Sequence, residues 1–356
     1  MNAITTGSHK DVTVVLLGHG QGEYRARAQY FYQQAEVPCL LLEPLLASNS
    51  ASCSQQLSQA LEQVTTPLVM LALDSDFVLP AALDNAALRL QAVSQSIGAQ
   101  GASLAYAAGN GHVAYHKVGS ALAPLFEEGA VARLRQYAEA AQSAWRAVLR
   151  VEALQGALAR LPDHLDFSGW RVALSYALLA QGAIESVEQT DVVCEYAPCT
   201  LTTAEQEEHF TQAVRALLQW DASGFGLCTD ESGFALLNQF VRNTYGAPEQ
   251  PLLFTSSWAS IADGPERVFE PRQFVELPYY NGALFDVLTK LEFLWHAWPA
   301  GARQYQALEG SWVRQRELLL THPNDTPGSL EHRYWEALAL GLFNREVCQQ
   351  LANSLA

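Results

Sequence analysis

The chain has 356 residues, of which 49% are hydrophobic and 16% are charged, so it can bury a large core and its length suggests two domains. Its formal net charge is -16 and it has no basic patch, which argues against a general nucleic-acid or anionic-membrane surface. The six cysteines lack metal-ligand spacing, and neither an apolar signal core nor a run of roughly eighteen apolar residues is present. These features predict a cytoplasmic protein with reduced thiols and no transmembrane segment.

The first part of the chain alternates between short apolar runs and amphipathic stretches. Strands are predicted at residues 13–17, 37–42 and 68–73, and helices at residues 23–34 and 52–64. Because strand and helix alternate, the pattern predicts an α/β fold, with a mostly parallel, Rossmann-like sheet flanked by helices.

Two aspartates, Asp74 and Asp76, follow the third predicted strand directly. In open α/β sheets, ligands bind at the carboxyl ends of the strands. Two carboxylates on one short turn are hard oxygen donors, suited to Mg²⁺ or Mn²⁺ already held by a diphosphate. Such an ion would let an acidic protein bind a nucleoside diphosphate. The alternative is that the two aspartates only cap a helix predicted at residues 79–91.

The pattern changes after residue 101. The segment Ala-Gly-Asn-Gly at residues 108–111 lies between two short strands and predicts a β-hairpin. The elements predicted here are strands at residues 102–107, 112–117 and 187–196, and helices at residues 129–144 and 169–181. A helix start at residues 202–205 marks the predicted boundary between an α/β domain at 1–200 and a mainly helical domain at 201–356.

Residues 64–80 read Val-Thr-Thr-Pro-Leu-Val-Met-Leu-Ala-Leu-Asp-Ser-Asp-Phe-Val-Leu-Pro. Together with the apolar strand at 12–17 and the helix that opens with Glu23, this segment resembles the DxD-type bacterial glycosyltransferases of the GT-A fold, family-2-like. The resemblance covers residues 12–195. It implies a metal-dependent transfer, with inversion, of a sugar from a nucleoside-diphosphate donor to a glycan, lipid-linked or protein acceptor.

The resemblance also implies roles for individual residues. The residues implied to hold the nucleotide at the end of the first strand are Leu17, Gly18 and His19. Glu43, which ends the second strand, is implied to contact the nucleoside, and Ser75 to lie near the ribose. Asp74 and Asp76 are implied to hold Mn²⁺ or Mg²⁺ on the donor diphosphate. Glu43 stands where the family usually has Asp, and the turn at 18–22 lacks the family's usual Thr-x-Asn-Arg.

An inverting transfer also needs a carboxylate that accepts the proton of the acceptor hydroxyl. Related sequences place this acid at the start of a helix, which the resemblance maps to residues 167–170. Asp166 is the nearest acid to that position and Asp163 is the second candidate. The alternative for Asp166 is that it only N-caps the helix.

Two other functions fit part of the sequence. Asp-Ser-Asp-Phe-Val at 74–78 also matches the Asp-x-Asp-x-Val signature of phosphatases, in which the first Asp is a nucleophile and the second an acid and base. That signature belongs on the first strand of its domain, whereas two predicted strand–helix units precede it here. The second alternative is a degenerate GT-A-fold binding protein without transferase activity.

Overall fold

The computed structural model describes residues 8–18, 22–44, 49–109, 112–122, 129–196, 202–245, 250–258 and 267–271, and the single positions 284, 287, 288, 291 and 292. The chain divides into two compact units, Met1–Ser103 with Val118–Gln250 and Leu104–Lys117 with Pro251–Ala356. The domain boundary expected near residue 200 stays a prediction.

Strands and helices alternate in the first unit, as the sequence pattern indicates. The strands of the described chain are β1 (Val12–Gly18), β2 (Cys39–Pro44), β3 (Leu68–Leu73), β4 (Phe77–Val78), β5 (Gly98–Gly109), β6 (His112–Val118), β7 (Val148–Arg150), β8 (Ile184–Glu195), β9 (Leu252–Trp258) and β10 (Arg267–Pro271). The helices are α1 (Gly22–Gln34), α2 (Ser50–Leu61), α3 (Pro80–Ala92), α4 (Ala130–Ala140), α5 (Val151–Leu158), α6 (Phe167–Gln181), α7 (Thr203–Gly224) and α8 (Glu231–Tyr245). Two short 3-10 turns are also described, His9–Asp11 before β1 and Ala144–Arg146 before β7.

The sheet of the first unit has a parallel section and antiparallel additions. β1 lies between β2 and β3 and is parallel to both. β7 pairs antiparallel with β3, β5 pairs antiparallel with β7, and β4 pairs antiparallel with β8. The predicted α/β fold with a sheet flanked by helices is confirmed, and its parallel section is the strand order β2-β1-β3.

Burial on both faces explains why these strands read as continuous apolar runs. Every residue of β1 is buried, and so are the first five residues of β3. Helices α2, α5 and α6 cover one face, where Leu57, Leu154 and Trp170 belong to the same apolar cluster as Val15 and Leu71. This packing holds the carboxyl ends of β1 and β3 side by side.

Helices α7 and α8 extend the first unit beyond residue 200. Their apolar faces form a second cluster with α4 and α6, which includes Tyr176 and Phe240. The predicted helix start is confirmed, because the Thr202 hydroxyl accepts a hydrogen bond from Glu205 N and the Glu205 carboxylate accepts one from Thr202 N. Within the residues that the structure describes, none of the helices is long and apolar enough to span a membrane.

The second unit contains an antiparallel ladder in which β9 lies between β6 and β10. The Tyr115 ring stacks on Phe254 with ring centroids 4.7 Å apart. The buried Glu292 carboxylate accepts hydrogen bonds from the Tyr115 hydroxyl at 2.6 Å and the Ser256 hydroxyl at 2.8 Å. The two strands of the predicted hairpin are present as β5 and β6, and their connection at 110–111 lies outside the described residues.

A buried carboxyl, Asp191, connects β8 to the segment that follows Asp76. Its backbone oxygen accepts a hydrogen bond from Leu79 N at 2.9 Å, and its side chain accepts one from Gly101 N. Burial raises the pKa of Asp191 from 3.8 to about 7, against the lowering effect of the bonds from Gly101 and Gln189. The folded state therefore favours the protonated form.

We expect Asp191→Asn to change the pH dependence of stability. Because the folded-state pKa of Asp191 is raised, the contribution of Asp191 to the free energy of unfolding is fully present below about pH 4. This contribution is lost as the pH rises towards 7. Asn stays neutral, so the stability of the variant relative to wild type should rise over this window by up to about 4 kcal/mol. Chemical denaturation at several pH values measures it, with the exposed Glu188→Gln on the same strand as control. A difference that does not vary with pH would contradict this assignment.

Candidate active site

Several residues predicted to bind the donor lie at the carboxyl ends of the parallel strands. Leu17 of β1 is in register with Leu73 of β3, and Gly18 is in register with Pro44 of β2. Asp74 N donates a hydrogen bond to Leu17 O at 3.1 Å, which extends the pairing of β1 and β3 by one residue. The ends of these strands therefore bring Gly18 and Asp74 together, as expected for a ligand-binding edge of an open sheet.

Gly18 packs closely against the Asp74 carboxylate and the backbone of β2. A Cβ atom at Gly18 would lie 3.6 Å from Asp74 Oδ2 and 3.2 Å from Leu42 O, so a larger side chain would crowd the acid and the neighbouring strand. Asp74 itself is only 3% exposed. A glycine that keeps backbone and carboxylate close together is typical of places where a ligand approaches the main chain.

Asp76 has different surroundings from Asp74. Its Oδ2 atom accepts hydrogen bonds from Leu73 N at 3.0 Å and from Arg146 Nη2 at 2.8 Å. Its backbone N donates to Leu73 O at 2.9 Å, which closes a tight turn over Asp74 and Ser75. The Asp76 side chain is 1% exposed, so this carboxylate is enclosed by the protein.

Tyr32 of α1 fixes the backbone of the same turn. Its buried hydroxyl accepts a hydrogen bond from Val78 N at 2.9 Å and lies 3.3 Å from Asp76 O, to which it donates. Phe31 packs edge-on against both Tyr32 and Phe77, with ring centroids 5.1 Å apart in each case. Burial raises the pKa of Tyr32 well above its usual value, so the hydroxyl stays protonated.

The alternative that the two aspartates cap the following helix is wrong. Helix α3 has Leu79 at its N-cap position, without a side-chain hydrogen bond, and begins with Pro80. Proline at the first helical position needs no hydrogen-bond partner for its nitrogen. Neither Asp74 nor Asp76 is needed to start α3.

Arg146 reaches Asp76 from the 3-10 turn that precedes β7. Its guanidinium lies over the Trp145 ring, 4.9 Å from the centroid. Burial lowers the pKa of Arg146, whereas the charge of Asp76 and the hydrogen bond to Cys194 raise it; the net shift is upward, so the guanidinium is charged. Burial raises the pKa of the Cys194 thiol in spite of Arg146, so that group is neutral. Asp76 is thus the anionic partner of Arg146.

The other residues predicted to contact the donor are Ser75, Glu43 and His19. Ser75 is 2% exposed within the turn. The Glu43 carboxylate lies 3.7 Å from Arg25 Nη1, and 77% of its side chain is exposed at the end of β2. His19 lies outside the described residues. The predicted nucleotide contacts of all these residues stay predictions.

Asp166 is exposed at the start of α6, where its Oδ1 atom accepts a hydrogen bond from Gly169 N at 2.7 Å. The N-cap function considered for this residue is therefore confirmed. Asp163, the second candidate, is exposed in the preceding loop. The role of either carboxylate as a base stays a prediction.

The two aspartates differ in their fit to a divalent metal ion. An ion bound to Asp76 Oδ2 would have to displace Arg146 or Leu73 N, and it would face the like charge of the guanidinium. Asp74 lies next to the Gly18 backbone, and its predicted role as a metal ligand stays a prediction. Within the described ranges, no three His, Cys, Asp or Glu side chains form a metal-binding cluster.

Comparison with known proteins adds little to this description. No protein-family model matches the chain, and no curated protein is significantly similar to it. Crystal structures of S. aureus TarS and of TarS 1-349 align with 85% of this chain at 13% identity, with TM-scores of 0.33 and 0.34. The alignments span 55% and 91% of those two chains. At these TM-scores the likeness supports no conclusion about fold or function.

Sequence reasoning missed Arg146 and Tyr32. Arg146 is the single charged residue in the run Ala-Trp-Arg-Ala-Val-Leu at 144–149, and a lone arginine in an apolar run is the signal of a buried ion pair. Tyr32 lies in an aromatic stretch of α1 that does not distinguish a core tyrosine from a hydrogen-bonded one.

We expect Tyr32→Phe to loosen the turn that carries the two aspartates. The variant removes the acceptor of Val78 N and the donor to Asp76 O, which should lower the free energy of unfolding by about 1–3 kcal/mol. Amide hydrogen exchange of Val78 should accelerate. Tyr137→Phe is the matched control, because it also removes a buried hydroxyl, the donor to Gln100 Oε1. Unchanged exchange at Val78 in the Tyr32 variant would contradict this role.

Proposed function

We propose that this protein is a glycosyltransferase that uses a nucleoside-diphosphate sugar as donor and a glycan, a lipid-linked sugar or a protein as acceptor. The observation that carries the proposal is the arrangement at the carboxyl ends of β1 and β3. There the Gly18 backbone and the Asp74 carboxylate lie next to each other, with a Cβ at Gly18 only 3.6 Å from Asp74 Oδ2. The motif at residues 64–80 supports the same function.

The position of Asp74 suits the diphosphate of a donor. A nucleotide against the ends of β1 and β2 would contact Leu17, Gly18 and Glu43 through its base and ribose, and it would direct its diphosphate towards Asp74. Two negatively charged groups repel each other unless a cation lies nearby, so Asp74 would hold a divalent ion, and that ion would supply the positive charge that the diphosphate needs. The protein's own contribution is to hold the Asp74 carboxylate at a fixed strand end.

Asp166 is the proposed base. Its carboxylate is exposed and uses Oδ1 to cap α6, so it is fixed in orientation at a helix start. In an inverting reaction, a carboxylate accepts the proton of the acceptor hydroxyl while the bond to the leaving diphosphate breaks. The base of this reaction has to face the acceptor side of the sugar.

The structure favours this function over the phosphatase alternative. Two strand–helix units, β1-α1 and β2-α2, precede β3, which ends just before Asp74, whereas the phosphatase signature belongs on the first strand. The second acid of that signature has to exchange protons with the substrate. Asp76 is instead buried and paired with Arg146.

The first test uses Asp74→Asn, which keeps the shape of the side chain and removes its charge. We expect the fold to persist and the Mn²⁺-dependent release of nucleoside diphosphate from sugar nucleotides to fall by roughly 10²-fold or more, because a charge next to the reacting diphosphate is lost. A coupled assay over a panel of sugar nucleotides measures this release.

The exposed Glu188→Gln is the control and should behave like wild type. Equal rates for wild type and Asp74→Asn would remove Asp74 from the site. Nucleotide binding without release, for every donor and acceptor supplied, would favour the degenerate binding protein. Hydrolysis of a generic phosphate ester that depends on Asp74 would favour the phosphatase.

The second test separates the two roles of Asp166. Asn is also a good N-cap, so Asp166→Asn should leave stability and donor binding near wild type. If Asp166 is the base, the rate of transfer should fall by roughly 10²–10⁴-fold. Measuring the transfer rate and thermal unfolding on the same preparation decides between them. A transfer rate near wild type would leave Asp166 only its capping role.

A further inference from the structure

Asp76, which is paired with Arg146, lies two residues after Asp74 of the proposed diphosphate site. The same oxygen atom, Asp76 Oδ2, accepts hydrogen bonds from Leu73 N and from Arg146 Nη2. The guanidinium is therefore two hydrogen bonds away from the strand end that carries Asp74. A charged ligand next to Asp74 would also interact electrostatically with the Arg146 guanidinium.

The two partners are unequally accessible. The Asp76 side chain is 1% exposed, whereas Arg146 keeps 14% of its side chain exposed. The Arg146 Nε atom is buried and, within the described residues, has no hydrogen-bond partner. Buried donors are normally paired, so this guanidinium keeps unused hydrogen-bonding capacity.

The guanidinium is also held in one orientation. Asp76 binds its Nη2 atom, and Trp145 packs against its face with the Cζ atom 4.9 Å from the ring centroid. A planar guanidinium with a fixed direction is the side chain best suited to bind phosphate oxygens. Preorganisation of this kind reduces the ordering that a ligand would otherwise have to impose.

We propose that Asp76 is not a metal ligand but the partner that holds Arg146, and that Arg146 binds the diphosphate of the donor directly. This inference rests on the proposed function, because it assigns the ligand to the same strand ends. Asp74 is then the single carboxylate of the pair that meets a divalent ion. The diphosphate is neutralised from two directions, by the ion at Asp74 and by the arginine beside it.

The test compares nucleoside diphosphate binding with and without metal. Calorimetric titration with uridine, guanosine, cytidine, adenosine and thymidine diphosphates is done in Mn²⁺ and in EDTA, with Mn²⁺ alone as a blank. The variants are Arg146→Lys, Arg146→Met and the double variant Asp76→Asn with Arg146→Met. The double variant leaves no unpaired charge in the interior, so it carries the test if Arg146→Met alone does not fold. Thermal unfolding verifies the fold of each variant.

We expect Arg146→Met to weaken binding about tenfold or more in both buffers, and Arg146→Lys to weaken it less, because lysine keeps the charge but loses the planar donors. In the double variant, affinity should also fall, but the ratio of the dissociation constants in EDTA and in Mn²⁺ should match wild type. The matched control is the double variant Arg89→Met with Glu185→Gln. It removes a different ion pair, in which Arg89 Nη2 lies 2.7 Å from Glu185 Oε2, and it should bind like wild type.

Two outcomes overturn the inference while the proposed function stands. One is that the dissociation constants of the double variant in EDTA and in Mn²⁺ are nearly equal, which would make Asp76 a metal ligand. The other is wild-type affinity in Arg146→Met. If none of the nucleoside diphosphates binds the wild-type protein in either buffer, the proposed function itself fails, and the inference fails with it.

Discussion

The candidate site depends on the ion pair between the buried Asp76 carboxylate and Arg146. The carboxylate binds its own strand end through Leu73 N and a separate part of the chain through Arg146 Nη2. A buried ion pair of this kind contributes less to stability than its Coulomb attraction suggests, because both charges lose their hydration. Its effect is to fix geometry, since removing either partner leaves an uncompensated charge in the interior. With Tyr32 bonded to the backbone on the other side, the turn has one well-defined conformation.

This constraint gives the two aspartates different functions. Asp74 follows the end of β3 directly and lies next to Gly18, whereas Asp76 is paired with Arg146. In a chain with a net charge of -16, a fixed guanidinium beside the proposed diphosphate site offsets part of the repulsion that a donor would meet.

The sequence predicted those parts of the fold that depend on local patterns. β3 matches its predicted bounds, because an apolar run between Pro67 and Asp74 has no competing interpretation. The proximity of Gly18 and Asp74 follows from the general geometry of parallel strands. Residues 148–158 were not predicted to form β7 and α5, because a strand of three residues and a helix of eight are too short for a periodic signal. Arg146 was missed because its contact with Asp76 spans 70 positions and requires the antiparallel pairing of β7 with β3. The N-cap of Asp166 is a local feature that the sequence allowed but did not distinguish from a base.

The roles of Asp74, Asp76 and Arg146 can be tested with a crystal structure of the protein grown with Mn²⁺ and a nucleoside diphosphate, in which the anomalous signal locates the metal. We expect Mn²⁺ bound to the Asp74 carboxylate and the diphosphate at the ends of β1 and β3, with Asp76 still bonded to Arg146. We also expect a phosphate oxygen within hydrogen-bond distance of the Arg146 guanidinium. Mn²⁺ bound to Asp76 with Arg146 displaced, or a diphosphate bound away from these strand ends, would contradict these roles.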